Sequence, residues 1–166
     1  MQNKLGWHDV RDFRVLLATG FGLGFAKLMP GTVASLFAVA VWFFWLSELR
    51  GFYQSGIIIA ALPLAYYVIH VTQQKVGVED DSAITIDEIL GQWAALIAAP
   101  KTWYIVLFAF VAFRVLDIYK PDPVGWAERR FKGPLGVLAD DLVAGALVTA
   151  VIHISVYWFG LGGQPP

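Results

Sequence analysis

Three long uncharged runs constrain this chain more than any other feature. Residues 28–47, 51–74 and 142–166 contain no Asp, Glu, Lys or Arg, and run for 20, 24 and 25 residues. A helix crossing the hydrocarbon core of a bilayer needs about 20 apolar residues, and only helices or closed barrels satisfy their backbone groups there. Two further uncharged runs, 89–100 and 102–113, are 12 residues each and are separated by Lys101. They reach spanning length only by borrowing their polar flanks, over roughly 84–99 and 102–119; a short re-entrant hairpin is the alternative. The expectation is an all-α integral membrane helical bundle of about five spans, forming a single domain over residues 1–166. Composition agrees: 58% of the residues are apolar and 15% charged, against about 25% charged in a soluble domain.

Lysine and arginine placement orients the bundle. With five spans and the N-terminus inside, Lys4, Arg11, Arg14, Lys27, Lys75, Arg114, Lys120, Arg129, Arg130 and Lys132 fall on the cytoplasmic side, and Arg50 and Lys101 outside. Trp42, Trp45, Tyr53, Trp103, Tyr104, Tyr157 and Trp158 fall at the outer ends, where an interfacial aromatic belt belongs. Every acidic residue except Glu48 falls inside, so the chemistry faces the cytoplasm. The near-neutral charge balance leaves no basic face for nucleic acid. The chain has no cysteine, which excludes disulfides, thiolate metal sites and cysteine-phosphatase chemistry.

Four polar clusters converge on that inner face. In residues 20–36, Pro30-Gly31 makes a turn before the first span, Thr32 stands at an N-cap position, and Ser35 follows a turn later. Free amides and hydroxyls there can hold a phosphate, although an ordinary capped helix start reads the same way. Residues 79–93 place Asp80 and Asp81 in a loop and Asp87 and Glu88 on a helix, where consecutive residues point about 100° apart. Glu88 shares a face with Gln92, and Asp87 with Gly91, which permits close helix approach. Arg114 and Asp117 are three apart on one helical face, followed by Lys120 in a turn with Pro121. Asp140 and Asp141 open the last span, where one carboxylate would serve as a cap and two exceed what a cap requires. Arg129, Arg130 and Lys132 read as general attraction to anionic headgroups. His8 reads as a tail residue, and His70 and His153 as packing residues.

Carboxylates without cysteine or paired histidines suit Mg2+, which bridges to substrate phosphate. Arg114 and Lys120, with Thr32 and Ser35, offer donors to that phosphate. Water attacking a phosphomonoester beside a metal is the reaction these residue types favour; an aspartate nucleophile stays open. A divalent-cation transporter would use similar carboxylates, but at mid-membrane depth on several spans. A non-catalytic lipid-binding protein would need only the basic loop.

The blocks PGTVASL (30–36), IDEILGQW (86–93), FRVLDIYKPDP (113–123) and GPLGVLADDLVAG (133–145) resemble, in order, the signature blocks of the bacterial phosphatidylglycerophosphatase A family. The resemblance implies a Mg2+-dependent inner-membrane phosphatase that takes the terminal phosphate from phosphatidylglycerophosphate, a phospholipid substrate met at the cytoplasmic leaflet. It implies that Asp87, Glu88, Asp117, Asp140 and Asp141 are the catalytic carboxylates, and that Gly31, Thr32, Ser35, Arg114 and Lys120 belong to the substrate-binding blocks. Glu88, Asp117 and Asp141 are the expected metal ligands. Two blocks depart from the family pattern, at Met29-Pro30 and at Gly133-Pro134-Leu135-Gly136. Other lipid-phosphatase types fail on residues, since no Ser-Gly-His block and no Asp-x-Asp occurs.

Overall fold

The computed structural model describes residues 5–77 and 81–160, and every regular element among them is a helix. Lys4, Asp80 and the last six residues of the final uncharged run lie outside the described residues. Pro30 opens α2 (Pro30–Phe44), after a short α1 (Phe13–Ala18). A proline at the first helical position loses no hydrogen bond and is already set at helical φ. The residue before it, Met29, lies in the left-handed region at φ 50°, a conformation that costs a side-chain-bearing residue about 1–2 kcal/mol.

Among the described residues, two helices are long and apolar enough to cross a membrane. They are α3 (Gly51–Val76) and α7 (Pro134–Phe159), each 26 residues, with 18-residue stretches of mean hydropathy 1.7 and 2.0. At 1.5 Å per residue each is about 39 Å long, longer than the roughly 30 Å core of a bilayer. α3 stops at Gly77, whose φ of 77° is the left-handed cap glycine adopts without strain. α2 is a shorter apolar helix of 15 residues, and α5 (Trp103–Tyr119) has 17.

The expected span over roughly 84–99 takes a different form. α4 (Ile86–Ala95) has ten residues, about 15 Å, and cannot cross a bilayer core. A turn follows at once: Ala98 has φ 51°, its N–H donates to Gln54 Oε1 at 3.0 Å, and His153 Nε2 lies 2.9 Å from the Ile97 carbonyl. Leu90, Gly91, Gln92, Ala94 and Ala95 are all buried, so α4 is a core helix wrapped by protein. An apolar run looks alike in sequence whether lipid or protein covers it. Of the five expected spans, two, α3 and α7, have spanning length and composition among the described residues.

α4 packs most closely on α7. Gly91 and Gly145 face one another there: a Cβ on Gly145 would stand 2.4 Å from the Gly91 carbonyl oxygen, and one on Gly91 2.9 Å from Asp141 Cβ. Thr149 Oγ1 donates to the Ala94 carbonyl and locks the crossing. On the other flank Trp93 Nε1 donates to the Ala38 carbonyl of α2 at 3.0 Å. Trp42, predicted for the aromatic belt, is instead in the core and lies 3.3 Å from Gln54 Oε1. Its indole N–H is thereby satisfied in an apolar surrounding. Phe44, Trp45, Phe52, Tyr53, Trp103, Tyr157 and Trp158 are exposed and belong to the ends of α2, α3, α5 and α7 remote from Asp87. Lys101 and Glu48 pair there at 2.7 Å. At the other end, α1 is tied to the start of α4 by Thr85 N–H donating to the Ala18 carbonyl at 2.9 Å.

Gly145→Val should lower the detergent unfolding temperature, because a side chain there meets backbone and overpacking costs about 1–3 kcal/mol. Gly56→Ala, where a Cβ meets nothing within 4 Å, should leave it unchanged or raise it slightly. Thermal unfolding of the two variants side by side checks the close contact.

Candidate active site

Three elements deliver carboxylates to one end of the fold: the first turn of α4, the last turn of α5 and the second turn of α7. Asp140 and Asp141 do not open α7, where the sequence puts them. The helix begins at Pro134, after Gly133 with φ 59° and ψ −141°, a conformation that only glycine takes readily. The Gly133-Pro134 departure thus starts α7 early and carries the aspartates inside it. Thr32 likewise is not an N-cap; Met29 holds that position and Thr32 lies within the first turn of α2.

One oxygen each from Asp87, Glu88 and Asp141 lies within 4.8 Å of the others. Two side chains 100° apart on α4 therefore do converge, on a point set off the helix axis against α7. Asp87, Asp140 and Asp141 are buried. Asp87 Oδ1, Glu88 Oε2 and Asp141 Oδ1 are buried without a hydrogen-bond partner among the described residues. Carboxylate oxygens only accept, and leaving them orphaned in a protein interior is costly. Mutual repulsion adds to that cost. A hard divalent cation with oxygen preference relieves both, so this donor set fits Mg2+. Asp87 joins this cluster. Asp117, expected among the metal ligands, sits beside Asp141 but pairs with Arg114 Nη1 at 2.6 Å.

The carboxylates line a cleft of about 620 Å3, together with Asp117, Lys120, Asp140, Glu128, Arg129 and Lys132. Lys120 terminates α5 in the left-handed region at φ 44°, where glycine would be less strained. Its ammonium contacts Asp140 Oδ2 at 2.7 Å and Glu128 Oε1 at 2.8 Å. Burial disfavours the charge of Lys120, but these two hydrogen bonds outweigh it and hold its pKa above the usual lysine value. It stays protonated throughout the physiological range.

Arg114, Thr32 and Ser35 do not line the cleft. Ser35 is fully buried, and Arg114 Nη1 donates to its hydroxyl over a long 3.5 Å. Thr32 Oγ1 is buried with no partner among the described residues. α2 comes so close that a Cβ on Gly31 would stand 2.1 Å from Glu88 Oε1 and 3.0 Å from Arg114 Nη2. The Pro-Gly-Thr turn therefore backs Glu88 and Arg114. Sequence reasoning did not single out Glu128, whose pairing with Lys120 crosses eight residues and a turn. It named Gln92 only as sharing a face with Glu88; that side chain is fully buried with both amide atoms unpartnered among the described residues.

Comparison with known proteins meets this arrangement from outside. The family model for phosphatidylglycerophosphatase A matches residues 16–156. This chain belongs to that family. It is 34% identical over 157 residues to phosphatidylglycerophosphatase A of Escherichia coli, covering 94% of this chain and 87% of that protein. Identity to the Haemophilus influenzae phosphatidylglycerophosphatase A is also 34%, over 86% of this chain and 88% of that one. A Bacteroides thetaiotaomicron protein provisionally named a phosphatidylinositol-3-phosphatase is 33% identical, over 88% of this chain and 95% of that protein. No solved structure matches. As a member of the phosphatidylglycerophosphatase A family the chain is a phosphatase.

Gly31→Ala should cut turnover at least about tenfold while the unfolding temperature falls little. The added methyl displaces Glu88 and Arg114, and misplacing a reacting group by about 1 Å can cost 10²-fold. Steady-state kinetics beside a melting curve checks it.

Proposed function

We propose that this protein hydrolyses the terminal phosphomonoester of phosphatidylglycerophosphate, giving phosphatidylglycerol and inorganic phosphate. The reaction would use Mg2+ at the cytoplasmic face of a bacterial inner membrane, with residues 1–166 acting as one multi-pass domain and the N-terminus inside. The observation that carries this reading is the three-carboxylate cluster of Asp87, Glu88 and Asp141, lying in one cleft with Lys120. The names of the similar proteins supply the substrate class: each denotes a phospholipid bearing a phosphomonoester beyond its phosphodiester. Clustering at one end separates this reading from a cation transporter, which needs polar groups through the depth of several helices.

Asp87, Glu88 and Asp141 would hold the metal, which when bound polarises phosphoryl oxygens and lowers the charge cost of attack. Asp117 lines the same cleft beside Asp141 and would orient water and take its proton. Arg114, paired to Asp117 and braced by Ser35 on α2, fixes the direction of that carboxylate. Lys120 presents a permanent positive charge to the phosphate and holds Asp140 in place. The water oxygen bonds to phosphorus as the bond to the glycerol oxygen breaks; the proton that Asp117 draws from the water is then passed on to that oxygen, which leaves as the free hydroxyl of phosphatidylglycerol. Thr32 and Ser35 contribute by supporting Glu88 and Arg114 from behind.

Purified protein in detergent should release phosphate from phosphatidylglycerophosphate with Mg2+ and lose that activity in EDTA. Asp117→Asn and Asp141→Asn should each abolish turnover in a protein that stays folded. Arg130→Ala, at the exposed end of the basic last turn of α6 (Val124–Arg130), should change little. An inactive Arg130→Ala enzyme with active aspartate variants would overturn the site.

A further inference from the structure

The cleft holds more cationic side chains than a single phosphate requires. Its inner part carries the carboxylates and Lys120, which is already committed to Asp140 and Glu128. Arg129, in the last turn of α6, and Lys132, between α6 and α7, line the same cleft. Both are exposed, so they stand toward its mouth. Lys132 makes no ion pair among the described residues, and Arg129 pairs only with the exposed Asp122, at 2.6 Å. An exposed pair of that kind is weak and yields readily to a stronger anion. Arg130, between them in sequence, is exposed but does not line the cleft. Two of the three basic residues are thus sorted into the cleft and one out of it, which general attraction to a charged surface does not require.

We infer that Arg129 and Lys132 form a second anion subsite at the mouth of the cleft, which takes the phosphodiester of the lipid while its terminal phosphate lies at the carboxylates. This rests on the function proposed above. The substrate's two phosphates are separated by one glycerol unit, and both must be accommodated in a single cleft. The inner phosphate is charged and multiply accepting, a match for a guanidinium and an ammonium. The same contact positions the lipid backbone at the membrane-facing rim. Phe131, between the two cations in sequence, is half-exposed and lines the same cleft, where it offers the glycerol and acyl ester region an apolar surface. The two basic residues therefore act as specificity determinants, selecting a headgroup with two phosphates over one with a single phosphate.

The test compares phosphatidylglycerophosphate with phosphatidic acid, which carries one phosphate, in mixed micelles of a neutral detergent. In the double variant Arg129→Ala/Lys132→Ala, KM for phosphatidylglycerophosphate should rise about tenfold with kcat within about twofold. The ratio of kcat/KM between the two lipids should fall by a similar factor. Arg129→Lys/Lys132→Arg should restore most of that preference, and Arg130→Ala should leave it intact. Equal losses on both lipids would mean general electrostatic attraction and would overturn the subsite, as would no loss on either. Wild-type protein inactive on phosphatidylglycerophosphate would instead defeat the proposed function itself, so the two failures are distinguishable.

Discussion

The contact between Gly91 and Gly145 is the constraint on which the rest depends. With no side chain on either, α4 and α7 approach until a Cβ on Gly145 would stand 2.4 Å from the opposing carbonyl oxygen. Asp141 lies one turn before Gly145 on α7, and Asp87 one turn before Gly91 on α4, so the same approach that closes the core brings their carboxylates together. Close packing of small residues is a common way for apolar helices to associate. Here it also fixes distances among charged groups. α2 does the same on a third side, since Gly31 admits Glu88 and Arg114 where any side chain would push them away.

The arrangement is expensive in the absence of a cation. Buried carboxylates with orphaned oxygens oppose folding, and Asp117 is tolerated because Arg114 pairs with it. The strained Met29 and Lys120 flank the same site. Residues held in sparsely populated conformations persist where their surroundings over-determine them. For Lys120 those surroundings are Asp140 and Glu128.

Much of this was legible in the sequence, and the parts that were not share physical reasons. Helical class followed from uncharged runs, and the gathering of Asp87, Glu88, Asp117, Lys120, Asp140 and Asp141 at one end followed from charge placement. The role of α4 was not readable, because a run buried by neighbouring helices and a run buried by lipid have the same composition. Trp42 was misplaced for a related cause: its hydrogen bond to Gln54 links residues on different helices, which no local pattern reports. The start of α7 was shifted by Gly133, whose unusual backbone is set by the turn rather than by periodicity. The pairing of Asp117 with Arg114 was legible as a helical i,i+3 pair, whereas its place beside Asp141 depends on how α5 packs against α7. In sequence Arg129 and Lys132 read as surface charge, since sorting them from Arg130 takes the shape of the cleft.

The central claim is that Asp87, Glu88 and Asp141 form one divalent-cation site. Mn2+ is a spectroscopically visible substitute for Mg2+, and its binding to the purified protein can be followed by electron paramagnetic resonance. The account predicts bound Mn2+ that excess Mg2+ displaces, and loss of that binding in Asp87→Asn with the helical signal unchanged. Mn2+ bound equally well by wild type and by the folded Asp87→Asn protein would contradict it.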